Sequence, residues 1–319
     1  MIQRPSLKTS RAWLDTADLP EPLPSRLAVG WSGGADSTAL LLTLADSGYH
    51  VHAWHVDHAW HQDSAKQSEQ LAKQADVWGI PFSVIRLPVS TGVNREAEAR
   101  DGRYQAFSQL SKAQHIDALC LAHHKDDQAE TVFMRMLQGA GVHGVRGMHQ
   151  VRMRDGLKIF RPLLHVSRLQ LCKALQQAGV QWLEDESNND MTLWRNRLRQ
   201  QIFPAMQRCG VRPTELFLRW QAQANNIAAE IEASLDLVLL QYHVTSCSLS
   251  WQVWEALPAM MRAYLLQRMM QYLFGEGIVA GRRHIMLVEN WVQNGGHGGL
   301  DLSRSRIMRK DGQLCLMRK

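Results

Sequence analysis

The stretch that decides the fold is Leu27-Ala28-Val29-Gly30-Trp31-Ser32-Gly33-Gly34-Ala35-Asp36-Ser37-Thr38-Ala39-Leu40-Leu41-Leu42. Its apolar start predicts a strand covered on both faces, and its second half predicts a helix whose first turn carries short polar side chains. Between them, Gly33 and Gly34 let backbone N–H groups approach a ligand that a Cβ atom would hold off. Such a turn at the positive end of a helix dipole predicts a cradle for phosphate or pyrophosphate. The lysine of a Walker A loop is missing, so transfer of a γ-phosphate is not the favoured chemistry.

Strands and helices alternate on the C-terminal side of this turn. Further strands are predicted at 51–56, 82–87 and 118–122, and helices at 38–47, 63–78, 94–112, 126–138 and 167–178. This order predicts βαβ units, and therefore a doubly wound α/β domain with a parallel sheet. Ligands of such sheets bind at the carboxyl ends of the strands. Residues 32–37, Asp57 with His58, and residues 123–127 should therefore meet at one edge.

The rest of the chain has a different pattern. Four glycines in residues 139–147 predict a loop, and Arg161-Pro162-Leu163-Leu164 ends another extended segment. We expect a basic helix at 195–208 and a domain boundary near Gly210–Pro213, which divides the chain into 1–212 and 213–319. Helical patterns at 215–240, 258–274 and 282–292 follow, and an Asp311-Gly312 turn is typical of a hairpin. The second domain is thus predicted to be mainly helical, with a small terminal hairpin.

The composition is that of a globular chain with excess positive charge. Hydrophobic residues make up 45% and charged residues 21% of 319 residues, with a net charge of +6, and such values exclude a disordered chain. The net positive charge concentrates in the C-terminal half, which favours a polyanionic partner. No signal peptide or membrane span is predicted, and the five cysteines lack CxxC spacing. We expect a cytoplasmic protein with reduced thiols and no membrane contact. A homodimer is possible, because the composition does not determine the oligomeric state.

A second motif, Leu121-Ala122-His123-His124-Lys125-Asp126-Asp127-Gln128-Ala129-Glu130-Thr131, follows the predicted strand at 118–122. Asp127 and Glu130 are three residues apart and share one helix face. Beside a phosphate cradle, two carboxylates predict a site for a cationic substrate or a magnesium ion. Two plainer interpretations stay open, because the aspartates could cap the helix and the two histidines could be buried, hydrogen-bonded residues.

These motifs resemble those of a known family. Residues 32–37 match the SGGxDS signature of the PP-loop ATP pyrophosphatases, which adenylate a carbonyl or carboxylate and release pyrophosphate. Over roughly residues 27–205 the chain closely resembles the tRNA(Ile)-lysidine synthetases. The other matching segments are His55-Val56-Asp57-His58, residues 96–104, 139–144 and 161–164, Asp185-Glu186-Ser187-Asn188, and Arg195-Asn196-Arg197-Leu198-Arg199. Two departures are Ala59-Trp60, where the family usually has glycine, and an end that matches the shorter forms without the last C-terminal domain.

The resemblance implies a reaction and a set of residues. ATP adenylates the C2 oxygen of the wobble cytidine in the CAU anticodon of tRNA(Ile), pyrophosphate leaves, and the ε-amine of L-lysine displaces AMP to form lysidine. The implied ATP-binding residues are Ser32, Gly33, Gly34, Ala35, Asp36 and Ser37. The implied catalytic residues are Asp36, His123, Asp127 and Glu130, and Arg103 joins the last two in the lysine pocket.

Charge chemistry agrees with these roles. Asp36 could hold Mg²⁺ against the phosphates. The carboxylates of Asp127 and Glu130 could bind an ammonium group, and the guanidinium of Arg103 could bind a carboxylate or a phosphate. Either His123 or a carboxylate could take the proton of the attacking amine, and the sequence does not choose. The predicted tRNA-binding residues are His143, Arg146, Arg195, Arg197 and Arg199. The last three could instead form a solvated helix face.

Two rival functions remain open at this point. Another PP-loop enzyme, such as a tRNA thiolase or an amide-forming synthetase, would share residues 32–37, although thiolases of this type use paired cysteines. A non-catalytic RNA-binding module would explain the basic half of the chain but not carboxylates gathered at one sheet edge. Exchange of pyrophosphate into ATP that needs tRNA and Mg²⁺ would separate an enzyme from such a module.

Overall fold

The structure is a computed structural model, which describes residues 4–7, 10–15, 17, 19–59, 64–88, 95–184, 190–238, 240–275, 278 and 280–319, with the backbone alone at 95–97. Trp60 and the motif at 185–188 lie outside these ranges. The described helices are α1 (Arg11–Asp15), α2 (Ala35–Asp46), α3 (Ser64–Val77), α4 (Arg95–Gln114), α5 (Lys125–Leu137), α6 (Val142–Val145), α7 (Arg168–Gln177), α8 (Trp194–Arg197), α9 (Phe203–Arg208), α10 (Pro213–Leu235), α11 (Trp251–Ala256), α12 (Ala259–Phe274) and α13 (Arg282–Gln293). The described strands are β1 (Arg26–Gly30), β2 (His50–Asp57), β3 (Phe82–Arg86), β4 (Ala118–Cys120), β5 (Val151–Arg154), β6 (Leu157–Phe160), β7 (Gln241–His243), β8 (Ser246–Ser250), β9 (Gly299–Asp301), β10 (Ser305–Lys310) and β11 (Gln313–Arg318).

The first sheet has six strands in the order β3-β2-β1-β4-β6-β5. All neighbouring pairs are parallel except β5 with β6, which form an antiparallel hairpin at one edge. The predicted α/β class with a parallel sheet is confirmed. The hairpin was not predicted, because the pattern before Arg161 indicates only one extended segment. Its turn is Asp155-Gly156 with φ of 52° and 81°, the positive values that a two-residue hairpin turn requires.

Both faces of this sheet are covered by helices, as the apolar run of β1 predicts. Leu27 and Val29 point into a core shared with α2, α3 and α7. Ala28, between them, points into a second core with α4. This alternation follows from the two-residue period of a strand. The turn that follows β1 lies at the carboxyl edge of the sheet, where ligands of such sheets bind.

The chain forms two compact units. One consists of Met1–Thr131 and Gly147–Leu218, and the other of Val132–Arg146 and Arg219–Lys319. Two of the three division points therefore fall inside α5 and α10 and the third follows Arg146, whereas the sequence predicted a single boundary between residues 212 and 213. A helical pattern continues through the points inside α5 and α10, so no loop composition marks them, whereas the third point lies in the glycine-rich segment 139–147.

The second unit contains an antiparallel sheet in the order β7-β8-β11-β10-β9. The predicted Asp311-Gly312 hairpin is confirmed, since Lys310 of β10 pairs with Gln313 of β11. The sheet extends beyond the predicted hairpin by β7, β8 and β9, which are short strands without a strong apolar alternation. Trp251 and Trp254 lie in the core of this unit.

Two smaller differences concern the basic and glycine-rich segments. The 139–147 loop contains one helical turn, α6, which Gly141 begins in an extended conformation. In and after the basic segment, Trp194 and Trp220 are 36% and 48% exposed. Within the described part of the chain, no helix combines the length and the apolar character needed to cross a bilayer.

Candidate functional site

The turn between β1 and α2 is held by its own side chains. Gly33 has φ of +84°, and the amide of Ser32 donates to Ser37 Oγ at 3.2 Å while that hydroxyl donates to the carbonyl oxygen of Gly34 at 3.1 Å. Buried Trp31 donates its indole N–H to Thr38 Oγ1 at 3.0 Å. The first N–H groups of α2 have no partner inside the helix. The turn thus presents a rigid set of amides to an anion.

We expect Gly33→Ala to weaken ATP binding by about tenfold or more, because a displaced amide cradle loses hydrogen bonds worth about 1–3 kcal/mol. A Cβ at this position would lie 2.8 Å from Leu183 Cδ1 and from Leu71 Cδ2, at a φ that alanine rarely adopts. Backbone strain should also lower the free energy of unfolding by about 1–3 kcal/mol. Calorimetric titration with ATP and thermal unfolding measure the two effects.

Gly48→Ala is the matched control for this substitution. Gly48 has φ of +87°, and an added Cβ would meet nothing within 4 Å. It should therefore show the loss of stability without the loss of ATP affinity. Equal weakening of ATP binding in both variants would contradict a specific role for the Gly33 turn.

Asp36 lies in the first turn of α2 with its side chain 30% exposed. One carboxylate oxygen, Oδ2, lies 3.5 Å from His124 Nε2, and the other, Oδ1, lies 3.8 Å from Arg168 Nε. Oδ1 is buried and has no hydrogen-bond partner among the described residues. In the same residues no group of three or more His, Cys, Asp or Glu side chains could hold a metal. A magnesium ion would fit here with one carboxylate oxygen, its other ligands being phosphate oxygens and water.

His124 connects the two sequence motifs and was not singled out from the sequence. It is 2% exposed, and its Nε2 lies 3.3 Å from Asp127 Oδ2 as well as 3.5 Å from Asp36 Oδ2. Burial opposes a charged imidazole, but the hydrogen bond with Asp36 and the charge of Asp127 outweigh it and raise the pKa of His124. The phosphate cradle and the carboxylate pair are therefore linked through one side chain.

His123 has the opposite environment. Its Nδ1 is buried without a hydrogen-bond partner among the described residues. Burial, followed by the charges of Arg161, Arg195 and Arg103, lowers its pKa to about 3, although Asp127 acts in the opposite sense. The imidazole is neutral at physiological pH and is a poor match for accepting a proton from an amine. The three arginines around it make this part of the site suited to an anion.

Arg161 belongs to the Arg-Pro-Leu-Leu motif, to which the sequence assigned no role. It follows β6 directly, is 5% exposed, and donates from Nη1 to the carbonyl oxygen of His149 at 2.8 Å. A charged side chain in so buried a position is costly unless it is paired. Its place at the carboxyl end of a central strand was the signal that could have identified it.

The structure places Arg199 on the carboxylate pair. Arg199 Nε donates to Glu130 Oε1 at 2.5 Å, and Nη2 donates to Glu130 Oε2 at 3.0 Å and to Asp127 Oδ1 at 2.6 Å. The sequence expectation put Arg199 on the tRNA and a lysine ammonium on these carboxylates. Burial alone would raise the pKa of Asp127, but His124 and Arg199 hold it below its usual value. For Glu130 burial dominates, and its pKa is raised in spite of Arg199.

The other predicted residues lie in several places. Arg103 donates from Nη2 to His58 Nε2 at 3.2 Å, which brings two matching segments together. Exposed Arg197 lies over the ring of Trp194, 5.1 Å from its centroid. In the second unit, Arg146 forms an ion pair with Glu232 at 2.8 Å.

His143 is also in the second unit, where it packs edge-on against Tyr264 with ring centroids 5.3 Å apart. Burial and the charge of Arg146 lower its pKa. The tRNA-binding roles of His143 and Arg146 stay predictions, since each side chain is engaged within its own unit.

Comparisons with known proteins identify similar chains. The model of the PP-loop domain family matches residues 7–206. The tRNA(Ile)-lysidine synthase of Chlamydia felis is 29% identical over 289 residues, covering 89% of this chain and 90% of that protein. The protein of the same name from Bordetella pertussis is 33% identical over 259 residues, covering 77% and 80%. Among solved structures, the U34-tRNA thiolase NcsA of Methanococcus maripaludis is similar with a TM-score of 0.56 over 69% of this chain and 80% of that one. At 15% identity this last likeness concerns the fold alone.

Proposed function

The chain belongs to the tRNA(Ile)-lysidine synthase family of PP-loop enzymes, and from this premise we propose that it joins L-lysine to the wobble cytidine of the CAU anticodon of tRNA(Ile). The observation that carries the proposal is the chain of contacts from Asp36 through His124 to Asp127. It sets an anion-binding helix terminus beside a carboxylate pair. Ligation needs both, because a polyphosphate and an amine must meet at one nucleotide.

In the first step, the C2 oxygen of the cytidine attacks the α-phosphorus of ATP, and the bond to the bridging oxygen of pyrophosphate breaks. The amides of Gly33 to Ser37 at the start of α2 stabilise the negative charge of the leaving pyrophosphate. Mg²⁺, when bound to Asp36 and the phosphates, would neutralise part of that charge. Residues 32–37 need not move far for this, because their hydrogen bonds already fix the turn.

In the second step, the ε-amine of lysine forms a bond to C2, and AMP leaves with the C2 oxygen. Lysine carries two ammonium groups and one carboxylate, so the pair Asp127 and Glu130 suits an ammonium and Arg103 suits the carboxylate. The attacking amine must also lose a proton. Glu130 is the better acceptor, because burial raises its pKa whereas burial and nearby arginines lower the pKa of His123 to about 3.

We expect Arg195→Ala combined with Arg197→Ala to weaken tRNA binding and to flatten its salt dependence. For each phosphate that the variant no longer neutralises, the slope of log Kd against log salt should fall by about 0.7–0.9. Filter binding or fluorescence anisotropy at several salt concentrations measures the slope. Lys73→Ala with Lys112→Ala removes two exposed positive charges from α3 and α4 and should leave the slope nearly unchanged. A wild-type slope in the arginine variant would take these residues out of the interface.

Incorporation of labelled lysine tests the proposed function directly. The assay contains ATP, Mg²⁺ and a tRNA(Ile) transcript with the CAU anticodon, beside a tRNA(Met) transcript with the same anticodon. Incorporation into the first alone is the expected result. If the folded protein binds ATP but incorporates no lysine, the PP-loop chemistry stands and the lysine assignment fails. RNA binding without any exchange of pyrophosphate into ATP would favour a non-catalytic module.

A further inference from the structure

The carboxylate pair that suits lysine already binds a cation that belongs to the protein. Both oxygens of Glu130 accept from Arg199, and Asp127 Oδ1 accepts from the same guanidinium. The fourth oxygen, Asp127 Oδ2, accepts from the backbone amide of His124 at 3.1 Å. Every oxygen of the pair therefore has a donor. A lysine ammonium would need to take acceptors from Arg199 and to sit beside a like charge.

The contacts between Arg199 and the two carboxylates are strong, but solvent reaches them on the side of Arg199. The side chains of Asp127 and Glu130 are 11% and 3% exposed, whereas that of Arg199 is 32% exposed. Bidentate guanidinium–carboxylate contacts at such distances are among the strongest polar contacts in proteins. A single free amino acid would have to displace them from a buried site. An anion reaching Arg199 from solvent would instead weaken them from the exposed side.

The backbone around Arg199 offers a way to release it. Arg199 lies in a π-helical turn, Leu198–Ile202, between α8 and α9. Such turns are rare and short, and they occur frequently at functional sites. Return to α-helical hydrogen bonding would shift the register by one residue, which is about 100° of rotation. Arg195 and Arg197 lie in α8, directly before this turn, and add positive charge beside Arg199.

We propose that Arg199 keeps the lysine site closed until a phosphate group draws its guanidinium away, so that Arg199 determines when the site is filled. This inference rests on the proposed function. It makes lysine bind only after the substrate that brings the phosphate, and it keeps amines away from the carboxylates until then. The phosphate could belong to the tRNA backbone or to the nucleotide, and the test separates the two.

Equilibrium dialysis with labelled L-lysine tests the proposal on the full chain. Four conditions are compared: protein alone, with a non-hydrolysable α,β-methylene ATP analogue, with the tRNA(Ile) transcript, and with both. If the open state of the free protein is about 1–10% populated, the wild-type Kd for lysine should be about 10- to 100-fold weaker without the phosphate source than with it. Tightening by tRNA alone would assign the phosphate to the backbone, and tightening by the analogue alone to the nucleotide.

Arg199→Gln should bind lysine with one affinity in all four conditions. Arg208→Gln, an exposed change on α9, is the control and should behave as the wild type does. Thermal unfolding reports whether the buried carboxylates still allow the Arg199 variant to fold. If that variant unfolds, the proposal is decided by the lysine Kd of the wild-type protein in the four conditions.

Two results would overturn the proposal. One is a wild-type lysine affinity that neither tRNA nor the analogue changes. The other is a uniform loss of lysine binding in folded Arg199→Gln, which would make Arg199 a positioning residue. The lysine incorporation assay is run in parallel. A protein that makes lysidine but shows no effect of phosphate on lysine binding contradicts only the role of Arg199, whereas a protein that makes no lysidine contradicts the proposed function itself.

Discussion

Replacement of Asp36 by asparagine is expected to abolish adenylation while leaving the affinity for tRNA nearly unchanged. The substitution keeps the shape of the side chain but removes the negative charge that would hold Mg²⁺ against the phosphates. Its Oδ1 is buried and accepts no hydrogen bond from the described residues, so a cation is the natural partner for it. Loss of this ligand should reduce the rate of pyrophosphate exchange into ATP by about 100-fold or more.

Asp76→Asn is the matched control, because Asp76 is an exposed aspartate on α3. It should exchange pyrophosphate at the wild-type rate. Activity of Asp36→Asn within a few-fold of wild type would remove Asp36 from the chemistry. Loss of tRNA binding together with exchange would instead show a folding defect, which thermal unfolding identifies.

Replacement of Glu130 by glutamine is expected to separate the two steps of the reaction. Glutamine has nearly the same shape but no charge, so the pair keeps only the charge of Asp127 for an ammonium group. Transfer of lysine to adenylated tRNA should fall by about 100-fold, since losing a charged hydrogen-bond partner at a buried site costs about 2–3 kcal/mol. Pyrophosphate exchange should persist, because Glu130 contacts neither the 32–37 turn nor Asp36 in the described contacts.

Single-turnover assays with labelled lysine and with labelled pyrophosphate measure these two steps separately. The free energy of unfolding should fall by only about 1–3 kcal/mol, because Arg199 keeps Asp127 as a partner and is partly exposed. Glu69→Gln, an exposed change on α3, serves as the control. Equal loss of both steps in the Glu130 variant would argue against a role confined to lysine.

Local pattern was sufficient for the parts of the fold that lie within a short stretch of chain. Residues 27–42 contain an apolar run, two glycines and short polar residues in sequence, and each of these restricts the backbone independently. The Asp311-Gly312 hairpin was predictable for the same reason, because one dipeptide defines the turn. The Asp155-Gly156 hairpin carried the same signal, but its strands have only four residues each.

Contacts between distant residues could not be predicted in this way. The Arg199 and Glu130 pair joins residues 69 positions apart, and a different partner was predicted for each of them. Complementary charge does not reveal which of several cations will occupy a carboxylate pair. The sequence offered a buried, hydrogen-bonded position for His124 but not its link between the two motifs, since that link comes from Asp36 on another strand-to-helix turn.

The continuity of α5 and α10 through both compact units has a consequence for dissection of the protein by deletion. A fragment that ends at residue 212 would retain Val132–Arg146 but lose the rest of the unit to which that segment belongs. Arg146 would keep its charge and lose Glu232. The segment Val132–Arg146, then without the rest of its unit, continues the helix that carries Asp127 and Glu130. Truncation would therefore disturb the helix of the proposed lysine-binding carboxylates together with the predicted tRNA-binding residue Arg146, and only point substitutions can test each role separately.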